Sequence, residues 1–301
     1  MPTPSSTAAH AANAPIPADR SRALPHGFDA VARTLLIPLA ARARGDAMFP
    51  ALAVGDSHAA RLVAQLGVDI APFVADRHSV CGVLSRTRLM RAAAQAFFER
   101  HPEATGIALG AGLSHYHQWL DNGSNHWIDI DREPVITLRE RWLPASPPRR
   151  LNRIADLAEP DWWQRAGLPQ DRNGEPLLLL AEGVLMYLEP EQVGRLLWLI
   201  GEHAPPGSLL LADCFGRHMV GLEAWHPSVR LTAARFRWGL QAVEDLARPH
   251  RRLQLVAEQP VMDPMGAAEA YAAGWFRFVT GVPFYSVYLL GVGRDPNDEG
   301  P

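Results

Sequence analysis

The chain has 301 residues, of which 48% are hydrophobic and 20% are charged, and its formal net charge is −3. This composition is typical of a globular protein and excludes a collagen, a disulfide scaffold and a wholly disordered chain. The small negative charge gives no electrostatic basis for binding nucleic acid or a membrane surface, and no segment approaches the roughly 18–20 apolar residues of a transmembrane helix.

Residues 1–25 are rich in Ala, Pro and Ser, show no apolar period, and are predicted to form a disordered tail. These residues also lack the basic start and the apolar stretch of a secretory signal. The chain has two cysteines, Cys81 and Cys214, which do not indicate a disulfide framework and are too few to form a zinc site alone. We therefore expect a cytoplasmic protein. The sequence contains no lysine, so all 29 basic residues are arginine, and any mechanism that needs a lysine is excluded.

Residues 26–102 are predicted to form a mostly helical N-terminal cap. Apolar residues cluster between Phe28 and Arg44, and Asp56 precedes a segment whose apolar residues recur at i, i+3, i+4 and i+7. A further helix is predicted over residues 83–100, because one of its faces is apolar and Pro102 follows it.

Residues 103–294 have a different character, in which short apolar runs alternate with helical segments. Five strands are predicted, at 106–109, 127–130, 151–155, 177–181 and 208–212, and a clear helix begins at Pro190. Two late strands, at 253–256 and 285–292, follow a long insertion. This alternation predicts an α/β fold with a parallel, doubly wound sheet, and residues 295–301 are predicted to be a second tail.

Each of the five predicted strands is followed by glycine or by an acidic residue, namely Gly110-Ala111-Gly112, Asp131, Asp156, Glu182 and Asp213. Ligands of open α/β sheets bind at the carboxyl ends of the strands, where acidic residues would accept hydrogen bonds from hydroxyl or amino groups. The alternative is that the acidic residues cap the helices that follow. The repetition at successive strands favours a shared, nucleotide-like ligand.

The glycine loop is a weak signal alone, since a dinucleotide fingerprint requires glycine where His115 stands. Asp131 lies 21 residues beyond Gly110, a spacing suited to an acidic residue that holds ribose hydroxyls, and Asp129 competes for this role. Glu182 follows a buried apolar run, so its carboxylate needs either an arginine from the N-terminal segment or the positive end of a ligand.

The motifs together resemble the leucine carboxyl methyltransferase family and its bacterial polyketide O-methyltransferase branch, within the class I S-adenosylmethionine-dependent methyltransferases. The resemblance covers roughly residues 28–293 and is carried by segments that keep the family's order: Thr34–Leu39 with Arg42-Ala43, Asp56 with Ala59, Arg86-Thr87-Arg88, Leu109–Leu113, Trp127–Asp131, Pro134–Ile136 with Arg139, Asp156-Leu157 with Trp162, Ala181–Leu188 and Phe236–Gly239.

The resemblance implies a seven-stranded, mostly parallel sheet with a helical N-terminal cap, S-adenosylmethionine as cofactor, and O-methylation of a small-molecule acceptor. It implies that the cofactor is bound by Arg86, Gly110, Ala111, Gly112, Asp131, Asp156, Leu157 and Glu182. Arg86 would bind the methionine carboxylate, and Arg42 is the nearest counterpart of a family lysine in the cap.

The sequence departs from the family at Ser114–His117, where an Asp-Thr-Arg run is common. His115 and His117 are candidate general bases, since histidine is the commonest acid–base residue, and Tyr187 is a further candidate catalytic residue. His203, His218, His226 and His250 are weaker candidates. No metal-binding constellation is visible. An NAD(P)-dependent oxidoreductase and a noncatalytic ligand-binding relative remain alternatives, and the sequence leaves the oligomeric state open.

Overall fold

A computed structural model describes residues 28–170, 172–223 and 226–294 of the chain. The predicted tails, residues 1–25 and 295–301, lie outside the described residues. Among the helices described, none is long and apolar enough to cross a membrane.

Five helices precede the first strand, where the apolar periodicity predicts three helical segments and does not predict α4. They are α1 (Ala30–Arg33), α2 (Leu36–Met48), α3 (Ala59–Leu66), α4 (Ala71–Ala75) and α5 (Arg77–Arg100). The side chain of Asp56 accepts hydrogen bonds from the backbone nitrogens of His58 and Ala59, so it caps the start of α3 as expected. Helix α5 begins six residues before the predicted position, because Asp76 caps it by accepting from the backbone nitrogen of Ser79.

Seven strands follow, separated by helices. The strands are β1 (Thr105–Leu109), β2 (His126–Asp131), β3 (Arg150–Ile154), β4 (Leu177–Ala181), β5 (Leu209–Phe215), β6 (Leu253–Pro260) and β7 (Tyr285–Val292). The helices between them are α6 (His117–Leu120), α7 (Glu133–Trp142), α8 (Trp162–Arg165), α9 (Pro190–His203), α10 (Pro227–Arg230) and α11 (Ala267–Thr280).

The strands form one sheet in the order β3-β2-β1-β4-β5-β7-β6. Strands β1 to β5 pair in parallel, and β7 pairs antiparallel to both β5 and β6. The prediction of a seven-stranded, mostly parallel, doubly wound sheet is therefore confirmed. Gly106 of β1 has no side chain for a packing reason, since a Cβ there would lie 2.2 Å from the ring of Trp127 on β2.

The two faces of the sheet are covered by different helices. One face carries Leu178, Leu180 and Leu211, which pack with Leu84 and Phe97 of α5. The opposite face carries alternate residues of the same strands, which pack with helices α8 and α9. The N-terminal helices thus share a hydrophobic core with the sheet.

Several predicted strand ends differ from the structure, in which β2 ends at Asp131, β3 at Ile154, β5 at Phe215 and β6 at Pro260. Strand β5 continues to Phe215, so Asp213 lies within the strand rather than after it. The extension is paired with Tyr285 and Ser286 of β7, a long-range pairing that the local sequence of β5 does not reveal.

Candidate functional site

A cavity of about 790 Å³ lies where β1, β2, β3 and β4 end, beneath helices α1, α2 and α5. All eight residues predicted to bind the cofactor line it: Arg86, Gly110, Ala111, Gly112, Asp131, Asp156, Leu157 and Glu182. Of the three predicted catalytic residues, Tyr187 lines the cavity, whereas His115 and His117 are absent from its described lining. The carboxyl ends of the strands therefore meet at one site, as the topology requires.

The glycine loop after β1 needs glycine at two positions. Gly110 and Gly112 have φ angles of +63° and +51°, in the left-handed region that other residues rarely adopt. A Cβ on Gly110 would also lie 2.8 Å from the side chain of Val184. The loop backbone consequently forms part of the cavity wall without side chains that would fill it.

Asp131 holds this loop in place. Its Oδ2 accepts a hydrogen bond of 2.8 Å from the backbone nitrogen of Gly112, and its Oδ1 accepts one of 2.8 Å from the backbone nitrogen of Arg132. Burial raises the pKa of Asp131, and these two hydrogen bonds partly oppose that rise. A carboxylate has about four acceptor positions, so Asp131 keeps capacity for hydroxyl donors from a ligand.

Asp129, the competing residue, is absent from the described lining of the cavity. It is fully buried, accepts a hydrogen bond of 2.9 Å from Nε1 of Trp127, and forms an ion pair with Arg139. Arg139 in turn donates to the carbonyl oxygens of Gly112 and Ser114, at 2.9 and 2.7 Å. Asp129 and Arg139 therefore support the glycine loop from beneath.

Glu182 follows β4 and has partners inside the protein. Its Oε1 accepts hydrogen bonds from Nε of Arg86 at 3.0 Å and from the hydroxyl of Thr87 at 2.9 Å. Its Oε2 lies 3.4 Å from the hydroxyl of Ser114 and 3.8 Å from Nη1 of Arg42. Burial alone would raise the pKa of Glu182, but Arg86 and Arg42 outweigh burial and hold the pKa below its usual value. Glu182 is therefore ionised at neutral pH while it faces the cavity.

Asp213 completes this network from within β5. Its Oδ2 accepts from Nη1 of Arg86 at 3.0 Å and from the hydroxyl of Tyr285 at 2.5 Å, and its Oδ1 accepts from the backbone nitrogen of Gly183 at 2.6 Å. Asp213 is fully buried and is not among the described residues that line the cavity. It thus fixes the position of Arg86 and of the turn that carries Glu182.

The donor and acceptor groups at this end of the cavity fit an amino-acid moiety. Nε of Arg42 donates to Asp56 at 3.0 Å, whereas its two terminal nitrogens are buried and make no hydrogen bond to the described residues. Arg86 can hold a carboxylate, Glu182 can accept from an ammonium group, and Asp131 can accept from ribose hydroxyls. Arg42 is absent from the described lining of the cavity, and its Nη1 lies 3.8 Å from Oε2 of Glu182. These residues therefore fit S-adenosylmethionine, which the resemblance implies.

His115 is buried and is absent from the described lining of the cavity. Its Nδ1 lies 3.0 Å from Nη1 of Arg150, and its ring contacts the edge of His58 at a centroid distance of 4.6 Å. Burial, reinforced by Arg150, lowers the pKa of His115 to about 2. A general-base role for His115 is thus not supported by its position or its weak basicity, because a base must reach the proton that it removes.

His117, at the start of α6, lies 3.9 Å from Asp121 through Nε2, and burial lowers its pKa. Its position outside the described lining of the cavity likewise gives no support for a catalytic role. Tyr187 does line the cavity, and burial raises its pKa to about 12. At neutral pH Tyr187 is therefore a hydrogen-bond donor rather than a base.

The remaining part of the cavity is mainly apolar and aromatic. Its lining includes Phe215, Phe236, Phe284, Met219, Leu222, Met262 and Met265. The ring of Phe236 lies between those of Phe215 and Tyr187, at centroid distances of 5.3 and 5.8 Å. This surface suits a flat, apolar molecule.

A polar group of residues interrupts the apolar surface where α5 meets α10. Asp76 accepts hydrogen bonds from the hydroxyls of Ser79 and Ser228, at 2.5 and 2.8 Å, and His226 lies beside it. Asp76, Ser79 and His226 all line the cavity.

Sequence reasoning missed several of these residues. His226 was only a weak candidate, and the roles of Asp76, Ser79, Tyr285 and Arg139 were not predicted. The capping position of Asp76 is visible in the sequence, but its proximity to His226 depends on a contact across 150 residues. In the described part of the chain there is no cluster of three or more His, Cys, Asp or Glu that could hold a metal ion.

Comparisons with known proteins agree with the geometry. The family model for leucine carboxyl methyltransferases matches residues 36–201, more than half of the chain. The methyltransferase dpfgK of Gibberella zeae, named as S-adenosyl-L-methionine-dependent, is 33% identical over 184 residues, which are 56% of this chain and 60% of that protein. The tetracenomycin polyketide synthesis O-methyltransferase TcmP of Streptomyces glaucescens is 29% identical over 70% of this chain and 75% of its own.

Solved structures resemble the fold as a whole. A protein from Thermobifida fusca superposes with a TM-score of 0.55 over 90% of this chain and 97% of its own, at 16% sequence identity. A DUF574-family protein from Streptomyces avermitilis gives a TM-score of 0.51 over 70% of this chain and 83% of its own, at 17% identity. At such low identity these similarities concern the fold alone.

Proposed function

The chain belongs to the leucine carboxyl methyltransferase family of S-adenosylmethionine-dependent methyltransferases, and on this premise we propose that it methylates an oxygen atom of a small, largely apolar acceptor. Membership of this family argues against the alternative function, that of an NAD(P)-dependent oxidoreductase. A noncatalytic relative remains the alternative that an activity assay must exclude.

One observation carries the proposal: a single cavity has an ionic end at the strand termini and an aromatic end beneath α5 and α10. The ionic end offers the donors and acceptors that an amino acid and a ribose need, and the aromatic end offers an apolar surface to a second molecule. Two reactants bound in one cavity can be held at near-attack distance, which can lower a reaction barrier by about 7–11 kcal/mol.

The residues of the ionic end would bind and orient the cofactor. Arg86 would hold its carboxylate, Glu182 its ammonium group, and Asp131 its ribose hydroxyls. The bound cofactor supplies a methyl group activated by a positively charged sulfur atom. The carboxylates of Glu182 and Asp131 also favour a ligand with a net positive charge.

The aromatic end would select the acceptor. Phe215, Phe236 and Phe284 present ring faces and edges against which a planar molecule can stack. Tyr187, whose hydroxyl stays protonated, would donate a hydrogen bond to an oxygen of the acceptor. The named activity of TcmP, O-methylation in polyketide synthesis, supports an acceptor of this shape.

The proposal is tested by incubating the protein with methyl-labelled S-adenosylmethionine and a panel of aromatic compounds that carry hydroxyl or carboxyl groups. We expect S-adenosylhomocysteine and a labelled methyl ether or ester, both identified by mass spectrometry. S-adenosylhomocysteine should also raise the melting temperature, whereas NAD and NADP should not. Asp161→Asn, which removes a surface ion pair with Arg165, is a matched control and should change neither result. Binding without any labelled product would favour the noncatalytic alternative.

A further inference from the structure

Helix α11 exposes three aromatic side chains on one of its faces. None of its 14 residues is buried by the described part of the chain, and the exposed fractions of Tyr271, Trp275 and Phe278 are 77%, 60% and 79%. These three residues follow the spacing i, i+4 and i+7, which places them on the same side of a helix. The rings of Trp275 and Phe278 stack at a centroid distance of 5.5 Å. Together with Gly274, the three residues form one surface, the α11 face.

A groove of about 340 Å³ lies at the centre of the α11 face, and Tyr271, Gly274, Trp275 and Phe278 line it. Gly274 leaves this space open, since a Cβ there would meet no atom of the described chain within 4 Å. Glycine in the middle of a helix costs about 0.5–1 kcal/mol relative to alanine. Neither crowding within the described chain nor a left-handed φ angle requires glycine at this position. The groove is therefore suited to a group that comes from another molecule.

The other side of α11 contacts the rest of the protein. Phe276 packs on Phe284 at a centroid distance of 5.3 Å, and Arg277 forms an ion pair with Glu258 of β6. Phe284 lines the aromatic end of the cavity, as does Met265, which lies two residues before α11. The helix is therefore attached to the cavity wall on one side and leaves its aromatic side without a partner in the described chain.

The α11 face carries no charge. The helix has two charged residues, Glu269 and Arg277, and at 3.6 residues per turn both lie outside this face. A charged peptide or a nucleic acid would therefore find no complementary group here. A membrane surface is disfavoured as well, because helices that lie in a membrane interface carry many Lys and Arg residues on their polar side. Helix α11 has one arginine, and it pairs with Glu258.

The two terminal segments outside the described residues do not supply side chains that match this face. Residues 1–27 contain three large apolar residues, Met1, Ile16 and Leu24, and residues 295–301 contain none. Neither segment contains a Phe, Trp or Tyr that could stack on the exposed rings. The partner of the α11 face is thus better sought in a separate molecule that presents uncharged, bulky side chains.

A second copy of the chain presents such a surface, because the α11 face is complementary to itself. Helix α11 spans residues 267–280, so Gly274 and Trp275 lie near its midpoint. A two-fold axis between these two residues would run the two helices antiparallel. Trp275 of each copy would then meet Gly274 of the other copy, and Tyr271 of each would meet Phe278 of the other. A bulky ring is thus matched to an open groove, and the remaining aromatic rings are matched to each other.

The area of the α11 face is sufficient for a specific contact between two copies. Since a whole aromatic side chain has about 150–250 Å² of surface, the exposed parts of Tyr271, Trp275 and Phe278 amount to about 400 Å². An apolar patch of this size often marks an interaction site. Two such faces, with the exposed Val279 and the alanines beside them, would bury about 1,000 Å² in total, which is the lower limit for a specific interface.

We propose that α11 is a dimerisation surface, at which two copies of the chain pair antiparallel with Trp275 of each copy in the groove over Gly274 of the other. The opposite side of the helix packs on Phe284, so pairing would also hold one wall of the aromatic end of the cavity in place. The inference concerns assembly and does not depend on the proposed methyl transfer.

Sedimentation velocity of the full chain tests the assembly. An interface at the lower size limit predicts a micromolar dissociation constant, so the sedimentation coefficient should rise from the monomer value to the dimer value between about 1 and 100 μM. The melting temperature should rise over the same range, because association stabilises the native state. A chain that stays monomeric at the highest concentration would overturn the proposal. So would a monomeric chain that floats with phosphatidylcholine vesicles, which would identify a membrane as the partner.

Two matched substitutions locate the surface. Trp275→Glu places a charge in the contact and should raise the dissociation constant of the dimer at least 100-fold. Trp198→Glu, at a half-exposed tryptophan of α9, should leave the dissociation constant unchanged. Both variants should bind S-adenosylhomocysteine with the wild-type Kd, which reports that they are folded, since neither residue is in the described lining of the cavity. A dimer that survives Trp275→Glu would show that the chain assembles through another surface.

Gly274→Leu tests the antiparallel register. A leucine at this position meets no neighbour in the described chain and favours the helix, so the monomer should remain folded. The leucine fills the groove that Trp275 of the second copy needs, and the dissociation constant of the dimer should rise at least tenfold, or about 1.4 kcal/mol. Gly194→Leu, at an equally open glycine of α9, is the matched control and should leave the dimer intact. Undiminished dimerisation of Gly274→Leu would refute the proposed contact.

Discussion

Glu182 has two sets of partners, so replacing it with glutamine should affect both stability and cofactor binding. Inside the protein, its Oε1 accepts from Arg86 and Thr87, and its charge compensates two buried arginines. Glu182→Gln keeps an oxygen that can accept both hydrogen bonds and removes only the charge. Hydrogen bonds to charged groups contribute about 1.5–3 kcal/mol each, and Asp213 continues to neutralise Arg86. We therefore expect the free energy of unfolding of the ligand-free protein to fall by about 2 kcal/mol.

A loss of about 2 kcal/mol corresponds to a decrease in melting temperature of about 3 °C, because the unfolding entropy is about 2.1 cal/mol/K per residue and the chain has 301 residues. The second effect is on the ligand, since the variant no longer presents a negative charge to the ammonium group of the cofactor. We expect the Kd of S-adenosylhomocysteine to rise at least tenfold, or about 1.4 kcal/mol. Differential scanning calorimetry and isothermal titration calorimetry at a temperature where the variant is folded measure the two effects separately.

Asp213→Asn is the matched control for this experiment. Asp213 binds the same guanidinium group but is absent from the described lining of the cavity, so its replacement should lower stability with a smaller effect on the Kd. A Glu182→Gln variant that is less stable and binds S-adenosylhomocysteine normally would refute the cofactor role of Glu182. A variant with wild-type stability would instead show that the ion pairs with the arginines contribute little to folding.

Two further predictions concern other parts of the site. Asp131→Ala should weaken binding of S-adenosylhomocysteine by ~1–3 kcal/mol. Asp129→Ala should mainly destabilise the fold, by about 3–5 kcal/mol, because it leaves the buried charge of Arg139 without its partner. Titration calorimetry that shows a larger loss of ligand affinity for Asp129→Ala than for Asp131→Ala would contradict the assignment. The pKa of His115 is about 2 in the folded state and about 6.5 in the unfolded state. Below pH 6.5 the unfolded state therefore binds more protons than the folded state. The free energy of unfolding should then fall with decreasing pH, by up to about 1.4 kcal/mol per pH unit. Urea unfolding at pH 7.5 and 5.0 should therefore show a smaller loss for His115→Gln than for the wild type, and equal losses would contradict the low pKa.

The sequence predicts those parts of the site that depend on local order. Gly110 follows β1 and Asp131 is the last residue of β2. Parallel strands bring their carboxyl ends together, so the topology alone places these residues at one cavity. The position of Asp213 was wrong because the end of β5 is determined by pairing with β7. The hydrogen bonds of Arg86 to Asp213 and Tyr285 join residues 127 and 199 positions apart, and no spacing rule reveals such contacts.

The histidines illustrate the same limit. His115 and His117 follow the glycine loop in sequence, which makes them candidate bases, yet neither is among the described residues that line the cavity. His226 is far from every recognised motif, and α5 and the segment before α10 must both be in place before it meets Asp76. Proximity in sequence to a cofactor loop therefore says little about which side chains reach the acceptor.

The shared core of the N-terminal helices and the sheet has a consequence for how the chain is made. Leu84 and Phe97 of α5 are buried against Leu178, Leu180 and Leu211, which a ribosome adds about a hundred residues later. Until β4 and β5 have been synthesised, the apolar face of α5 has no partner and stays exposed to water. Folding of the first third of the chain must then wait for the middle third, which makes the nascent N-terminal segment a natural client for chaperones during synthesis.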